Sequence, residues 1–372
     1  MQTIEILDPG LQRLGGHHFD LNLFLADELK RRGYKVRLWG SDDASRNLVE
    51  VCRETGLELT PLFRDRPYRV AREVPKAPSS LPILQNQLSV DLAQVPSDSL
   101  WFWPTTFGHY LGPAWRTATS THQYFGVFWS PSFRGRFWAS VWQSALASTH
   151  HSETPKIFTY DDGLSVVYRR YFPSLDLGVA PYPWRLPELL THSDKTSGRR
   201  LRVGLLGYQR EERGLPILAE LIRKLVEKDF HVVLQNSQGS LQIRGNHPRI
   251  ECLGWVRDFG ALVRSCDIVL WPSNPVAYQE RTSGVVPDCI ANGVPVVLPS
   301  GCLPAETAAR FGCGHLFHEE RVESMVQAVE EVRNHLDRAR KRASCGASRW
   351  RATQGLVHWG DWWERVLTKQ LT

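Results

Sequence analysis

The sequence predicts an α/β protein built from two parallel-sheet domains with helices on both faces, and three observations carry that expectation. The chain has 372 residues, too many for one ordinary core. Short apolar runs alternate with segments of helical period from end to end, the pattern of parallel strands joined by crossover helices. The pattern breaks once, over the proline-rich PYPWRLPELL and the polar THSDKTSGRR that follows it, and restarts at LRVGLLG (201–207). The division read from this is a first domain over 1–183, a linker over 184–199, a second domain over 200–345 and a terminal helix over 346–372.

In order along the chain, TIEIL (3–7) reads as a strand, followed by a loop through Gly15 and Gly16. A helix is expected from about His18 to Arg32, because Leu21, Phe24, Leu25 and Leu29 recur at helical spacing. Gly33 ends it, and YKVRLWG is the next strand. Later strands of the first half are expected at 100–103, 117–121 and 156–159. In the second half LRVGLLG is followed by a helix with Leu218, Leu221, Ile222 and Leu225 on one face. Strands then follow at 230–235, 250–254, 267–271 and 294–299. A helix over about 320–342 carries Val322, Met325, Val326, Val329, Val332 and Leu336 as its stripe.

Composition narrows the function classes. The chain is 42% hydrophobic and 23% charged, the balance of a soluble globular protein. No stretch approaches the ~20 apolar residues that span a bilayer. MQTIEILDPG lacks the basic and apolar regions of a secretory leader, so a cytoplasmic location is expected. The seven cysteines are scattered without a C-x-x-C pair, which reads as buried free thiols. A net charge of +6 favours anionic partners, but no nucleic-acid recognition motif accompanies it, and nucleic acid is not expected as a partner. The basic run Arg338–Arg342 reads as the solvated end of a helix. Fourteen tryptophans cluster around 101–142 and 350–363, and the late group reads as packing between domains rather than as ligand contacts.

Function is concentrated in ERTSGVVPDCIANGVPVVLP, Glu280 to Pro299. Glu280 and Asp288 stand eight positions apart, with Ser283 and Gly284 between them and a buried-strand pattern after Gly293. Acids flanking a Ser-Gly loop at a helix start suit a ligand with both hydroxyls and phosphate, since carboxylates accept hydroxyl hydrogen bonds and helix-start N–H groups hold anions. About 70 residues earlier, GLLGYQREERG runs from a strand into a loop holding Gly207, Arg210, Arg213 and Gly214. In an open parallel sheet, ligands bind beyond the carboxyl ends of strands, where this loop lies. No D-x-D occurs to hold a metal diphosphate, and no His/Cys spacing suggests zinc.

These segments resemble the donor site of family 4 glycosyltransferases, whose signature is E-x7-E followed by a G-x-P-V-V strand, with a G-x-x-x-x-x-K-G element upstream. Here Asp288 replaces the second Glu, Arg213-Gly214 stands for Lys-Gly, and Tyr208 occupies the place of a family arginine. The resemblance implies the GT-B fold, two Rossmann-like domains facing a cleft, with the terminal helix crossing back to the first. It implies a retaining, metal-independent transferase that uses a nucleotide-diphosphate sugar as co-substrate, with no cofactor. The first domain would bind the acceptor and the second the donor.

By that resemblance Glu280 contacts the donor sugar, Asp288 the ribose, and the backbone N–H groups of Ser283, Gly284 and Val285 the phosphates. Arg210 and Arg213 supply charge to the departing diphosphate. Gly15 and Gly16 match the family's glycine-rich loop near diphosphate and acceptor, with His17 and His18 directly after them. His122 falls where related enzymes place an active-site histidine facing the donor sugar. The nucleobase is expected near the loop after Trp255 or after Asn236.

The acceptor is read as a glycan, a glycolipid or another hydroxyl compound. In YFGVFWSPSFRGRFWASVW (124–142), aromatic rings alternate with Arg134 and Arg136. That stretch fits either peripheral contact with the inner face of a membrane, suiting a lipid-linked acceptor, or packing on the first sheet through Phe133, Phe137 and Trp138. Two alternatives to transfer stay open: a non-catalytic protein of this fold that binds a sugar nucleotide or a partner, and a sugar-nucleotide epimerase.

Overall fold

The computed structural model describes residues 2–106, 110, 114, 123–132, 136–147, 156–184, 199–237, 239, 241 and 247–368. The chain divides into two units, one of Met1–Arg185 with Gln354–Thr372, the other of Leu186–Thr353.

The first unit runs β1 (Thr3–Leu7), α1 (Gly16–Arg31), β2 (Lys35–Ser41), α2 (Arg46–Glu54), β3 (Leu59–Phe63), α3 (Pro67–Glu73), α4 (Leu81–Leu92) and β4 (Leu100–Trp103). It continues with β5 (Gln123–Val127), α5 (Arg136–Ala147), β6 (Lys156–Thr159), α6 (Asp162–Tyr171) and β7 (Leu177–Val179). Among the described residues its seven strands lie in the order β3-β2-β1-β4-β5-β6-β7, and each of their pairings is parallel. Leu21, Leu25 and Leu29 of α1 are fully buried, as their spacing predicts. Ser45 caps α2 and Asp161 caps α6, each side-chain oxygen accepting an N–H three residues on.

The expected strand at 117–121 lies outside the described residues. The next described strand is β5, which overlaps the stretch 124–142 where no strand was expected. Gln123–Val127 is buried along its whole length, and a strand covered on both faces shows no polar–apolar alternation to betray it. Tyr124, Phe125, Phe128, Trp129, Trp138 and Trp142 are all buried, and Trp138 donates from Nε1 to the Ala71 carbonyl. These rings are core, Phe137 is half-buried, and Phe133 and Arg134 lie outside the described residues.

One titration follows from α1. Burial raises Asp20 from 3.8 to about 7. The folded state therefore holds a proton that the unfolded chain has released, and stability falls as pH rises between about 4 and 7. Asp20→Asn removes the charge. It is expected to leave stability near pH 4 unchanged and to raise it at pH 8 by roughly 1–2 kcal/mol, a discount on the full shift for partial exposure. Urea unfolding at both pH values checks this, and an equal effect at both would rule it out.

The second unit comprises β8 (Arg202–Leu205), α7 (Leu218–Glu227), β9 (His231–Gln235), β10 (Ile250–Leu253), α8 (Phe259–Ser265), β11 (Ile268–Leu270) and α9 (Val285–Ala291). After these come β12 (Val296–Pro299), α10 (Leu303–Arg310), β13 (Gly314–Phe317), α11 (Val322–Asn334) and α12 (Leu336–Arg351). The six strands among the described residues are parallel in the order β10-β9-β8-β11-β12-β13. Leu221 and Leu225 of α7 pack with Met325 and Val329 of α11 on Val203, Leu205 and Val232 of the sheet.

The helix read over 320–342 is two helices, α11 and α12, parted at His335, whose φ of −126° leaves the helical range. The basic run Arg338–Arg342 thus lies in the first two turns of α12, with Arg338, Lys341 and Arg342 exposed. Arg340 bonds the fully buried Asp267, which also accepts from Arg199 and from the Arg202 amide.

The chain re-enters the first unit at Gln354. Gln354 accepts from the Tyr182 amide at 2.6 Å, and Gly355 and Leu356 donate to the Tyr182 and Trp184 carbonyls, so both crossings are tied together. The last helix, α13 (Leu356–Thr368), then lays Trp359 and Trp363 on Phe102 of β4, with ring centroids 5.8 and 4.9 Å away. Both tryptophans are 0% exposed. They complete the first unit's own core.

Candidate functional site

In each sheet the strand order reverses at one place, between β1 and β4 in the first unit and between β8 and β11 in the second. Loops leaving adjacent strands in opposite directions open a crevice there, the usual ligand position of such sheets. Both crevices hold buried polar clusters.

In the second unit the loop after β8 is held by Gln209. Its side-chain amide donates to the carbonyls of Leu205, Gly207 and Gln235, while Gln235 Oε1 accepts from the Gly207 amide at 2.7 Å. Gly207 has φ 88°, and a Cβ there would stand 2.8 Å from Val285. Gly214 has φ 79°, and a Cβ would stand 2.3 Å from the Pro272 carbonyl oxygen. Only glycine lets this loop lie so close to the one after β11. Between Gly214 and α7 a short 3₁₀ turn, Leu215–Ile217, intervenes.

Arg213 is 6% exposed. It donates to the Leu206 carbonyl at 2.7 Å and lies over the Trp271 ring, 4.9 Å from its centroid. Burial lowers its pKa below the ordinary guanidinium value. Arg210 and Arg281 push it the same way, and the Tyr278 hydroxyl opposes them. Arg210 Nη1 and Arg281 Nη1 each stand 3.7 Å from Glu212 Oε1. The Asn274 amide donates to the Glu212 carbonyl at 3.0 Å and joins the two loops. Arg281 went unread in the sequence, although it sits beside Glu280.

Glu280 is partly buried on the loop after β11. Ser283 is 7% exposed, and its Oγ accepts from the Val285 and Val286 amides at 3.2 and 3.4 Å. In this structure, then, the Val285 N–H read as an anion donor is taken by the Ser283 hydroxyl. Gly284 is exposed with open space around it. Asp288 lies one turn into α9 and is 1% exposed, deeper than an early-helix surface acid. Asn292, bonded to the Asp288 carbonyl by both backbone and side chain, accepts from Arg264 at 2.8 Å.

In the first unit, Asp8 follows β1 and is fully buried. Its carboxylate accepts from His18 Nδ1 (2.8 Å), Asn22 Nδ2 (2.6 Å) and the Gly10 amide (2.9 Å). A carboxylate only accepts, so Nδ1 is the donor to Asp8, and Nε2 stands 2.8 Å from the Tyr68 hydroxyl, in hydrogen-bond contact with it. Thr105, after β4, places its hydroxyl 3.2 Å from Nδ1. The backbone at Gly10 covers the imidazole: a Cβ there would fall 2.1 Å from the ring. Gly15 and Gly16 both have positive φ, and His17 lies with His18 in the first turn of α1. His122 is outside the described residues.

Sequence reading thus missed Asp8 and Tyr68. An acid just after the first strand, ten residues before a histidine at a helix start, is the signal that could have found Asp8. Tyr68 has no counterpart signal, because its approach to His18 is purely tertiary. Among the described residues, no group of three or more His, Cys, Asp or Glu side chains is arranged to hold a metal ion. All seven cysteines are free, Cys252 and Cys345 exposed and the rest buried. No helix among the described residues is long and apolar enough to cross a membrane.

Residues 200–335, which contain both loops of the second crevice, match the family model described as glycosyl transferases group 1. The chain carries a glycosyl transferases group 1 domain. No curated protein matches the sequence significantly. Solved structures align over the group 1 domain and the first unit together. HepE of Anabaena, in complex with UDP and glucose, is 13% identical, with 99% of this chain and 100% of that one covered at TM-score 0.73. Sucrose-phosphate synthase from Thermosynechococcus elongatus is 11% identical, with 100% and 99% covered at 0.72. A glycosyltransferase from Rickettsia africae is 14% identical, with 100% and 99% covered at 0.70. The fold is GT-B: two parallel-sheet α/β units, of which the group 1 domain is the second.

Proposed function

We propose that the protein is a glycosyltransferase that moves a sugar from a nucleotide-diphosphate sugar to a hydroxyl of a glycan, glycolipid or other acceptor. What supports this reading is the close approach of two loops of the group 1 domain, the one after β8 bearing Arg210 and Arg213 and the one after β11 bearing Glu280 and Ser283: Glu212 Oε1 stands 3.7 Å from Arg210 and from Arg281, and the Asn274 amide donates to the Glu212 carbonyl. Cationic groups on one loop and a carboxylate on its neighbour suit a ligand with both diphosphate and hydroxyls. Arg210 and Arg213 stabilise the diphosphate as the glycosidic bond breaks. Glu280 accepts hydrogen bonds from the donor sugar, and Asp288, held deeper, takes the ribose at its edge. The guanidiniums do the charge work, and the reaction is proposed to run without metal. Transfer is expected to persist in EDTA, and full loss that Mg²⁺ restores would overturn metal independence.

The acceptor is assigned to the first unit, with Gly15, Gly16, His17 and His18 at its crevice. Retention of configuration follows from the likeness of 207–214 and 280–297 to retaining enzymes. The Asp8–His18 pair favours a second reading, in which His18 Nε2, oriented by Asp8, takes the acceptor's proton once Tyr68 yields its place. The anomeric configuration of the product distinguishes the two, since base-assisted attack from the opposite face gives inversion.

The deciding experiment is a thermal-shift screen of nucleoside diphosphates and their sugars, followed by product analysis with the responding donor. Glu280→Ala is expected to reduce transfer by about 10²-fold, the size typical of losing one transition-state contact. Binding without turnover would leave a sugar-nucleotide-binding protein, and a new sugar nucleotide formed without acceptor would indicate an epimerase.

A further inference from the structure

Helix α4 of the first unit has an outer face that the donor site does not use. From Ala77 to Ser97 the chain holds a single charged residue, Asp91. Asp91 is itself 0% exposed, alongside buried Leu88 and Leu92. A surface helix ordinarily carries charge on its outer side. On α4 that side holds Pro82, Ile83, Asn86, Val90 and Ala93, all exposed. Ile83 and Val90 are 73% and 58% exposed, and a spacing of seven residues is close to two helical turns, so both side chains stand on one line. The segment leading into α4 is basic. Over 64–97, Arg64, Arg66, Arg69, Arg72 and Lys76 stand against Asp65, Glu73 and Asp91. Asp65 and Asp91 are buried, which leaves Glu73, bonded to Arg69, as the exposed acid of the segment. Arg66 pairs with the exposed Asp43, and Lys76 is exposed. Arg64 donates from Nε and Nη2 to Asp91 at 2.8 and 2.6 Å, yet its side chain is still 47% exposed. That pair ties the basic segment to α4 and fixes a cation beside the apolar line.

We propose that the outer face of α4, with the basic segment before it, is a docking surface for an anionic lipid bilayer. Ile83 and Val90 enter the boundary between headgroups and acyl chains, while Arg64 and Lys76 meet lipid phosphates. Entry desolvates no charge, because the face between the two aliphatic side chains carries none. Area separates a bilayer from a protein partner. Two aliphatic side chains with Pro82 and Ala93 beside them fall well short of the ~800 Å² per partner of a stable protein interface. Shallow insertion needs no such area, since each apolar side chain and each nearby cation adds to one attraction. The buried rings of 124–142 take no part, being core. This docking is independent of the donor site, and either can fail without the other.

The test is co-sedimentation of the full chain with phosphatidylcholine vesicles, with and without about 30 mol% phosphatidylglycerol, in about 0.1 M and about 0.5 M salt. Binding is expected on the anionic vesicles at the lower salt, and about tenfold weaker or less on neutral vesicles or at the higher salt. The double variant Ile83→Gln/Val90→Gln is expected to weaken it about tenfold or more, and Lys76→Gln about three- to fivefold. Asn86→Leu, on the same exposed side, is expected to tighten it about threefold or more, which a contact made by charge alone would not show. All four sites are exposed, so thermal midpoints, and their shifts with nucleoside diphosphates, should match wild type. A wild type that does not bind the anionic vesicles overturns the docking surface and leaves the donor site intact. So does a folded double variant that binds them like wild type. A wild type that sediments as a dimer without lipid, and becomes a monomer in the double variant, would overturn it in favour of a second copy of this chain.

Discussion

Arg213→Ala is expected to lower kcat/KM for sugar transfer by two to three orders of magnitude, about 3–4 kcal/mol of transition-state stabilisation. The size follows from burial. Arg213 is 6% exposed, so its charge acts on a developing phosphate charge with little water to screen it. Its grip on the Leu206 carbonyl and its seat on the Trp271 ring hold the guanidinium in place before the ligand arrives. Little energy is then spent on ordering it during the reaction. Truncation also leaves the Leu206 carbonyl without its partner, which lowers stability by roughly 1–3 kcal/mol. The control is therefore Arg213→Lys, which keeps the charge but loses the planar fork; it should fall between wild type and alanine. A well-folded Arg213→Ala protein whose transfer rate lies within about threefold of wild type would remove Arg213 from the site.

The largest expected effect on stability lies far from any chemistry. Trp363 is fully buried, 4.9 Å from Phe102, 4.8 Å from Tyr124 and stacked on Trp359 at 5.4 Å. Its replacement by alanine should cost about 3–5 kcal/mol, a large share of the roughly 5–15 kcal/mol that keeps a domain folded. The first unit's thermal midpoint is expected to drop by about 10 °C, at roughly 2–4 °C per kcal/mol for a domain of this size. Val357→Ala on the same helix makes the contrast. Val357 is 58% exposed, so its loss should stay within about 0.5 kcal/mol. If the two variants melt together, α13 is not part of the first unit's core.

Much of the architecture was legible because parallel α/β sequences announce themselves. The Leu21–Leu25–Leu29 stripe, the apolar run of β8 and the Gly33 stop each follow from local physics that tertiary structure did not override. Elements escaped where the local signal was mute. β5 is apolar without alternation, and the break between α11 and α12 falls at His335, where no glycine or proline marks it. The late tryptophans read as packing, but sequence placed them between domains, whereas Trp359 and Trp363 fill one unit's own core.

The site divides in the same way. By itself the sequence determined the kind of fold and the family likeness, and with them the expectation that Glu280, Ser283, Arg210 and Arg213, in segments of recognisable spacing, serve an anionic ligand bearing hydroxyls. It also determined the two loops, because Gly207 and Gly214 mark backbone that must turn with positive φ. Only the tertiary structure decided which groups meet. Strand order alone puts the loops after β8 and β11 side by side, brings Arg281 to Glu212 across nearly 70 residues and seats Tyr68 on His18 across 50. Those pairings depend on which strands become neighbours, and that is settled by the packing of whole helices on whole sheets. No local run of residues encodes it.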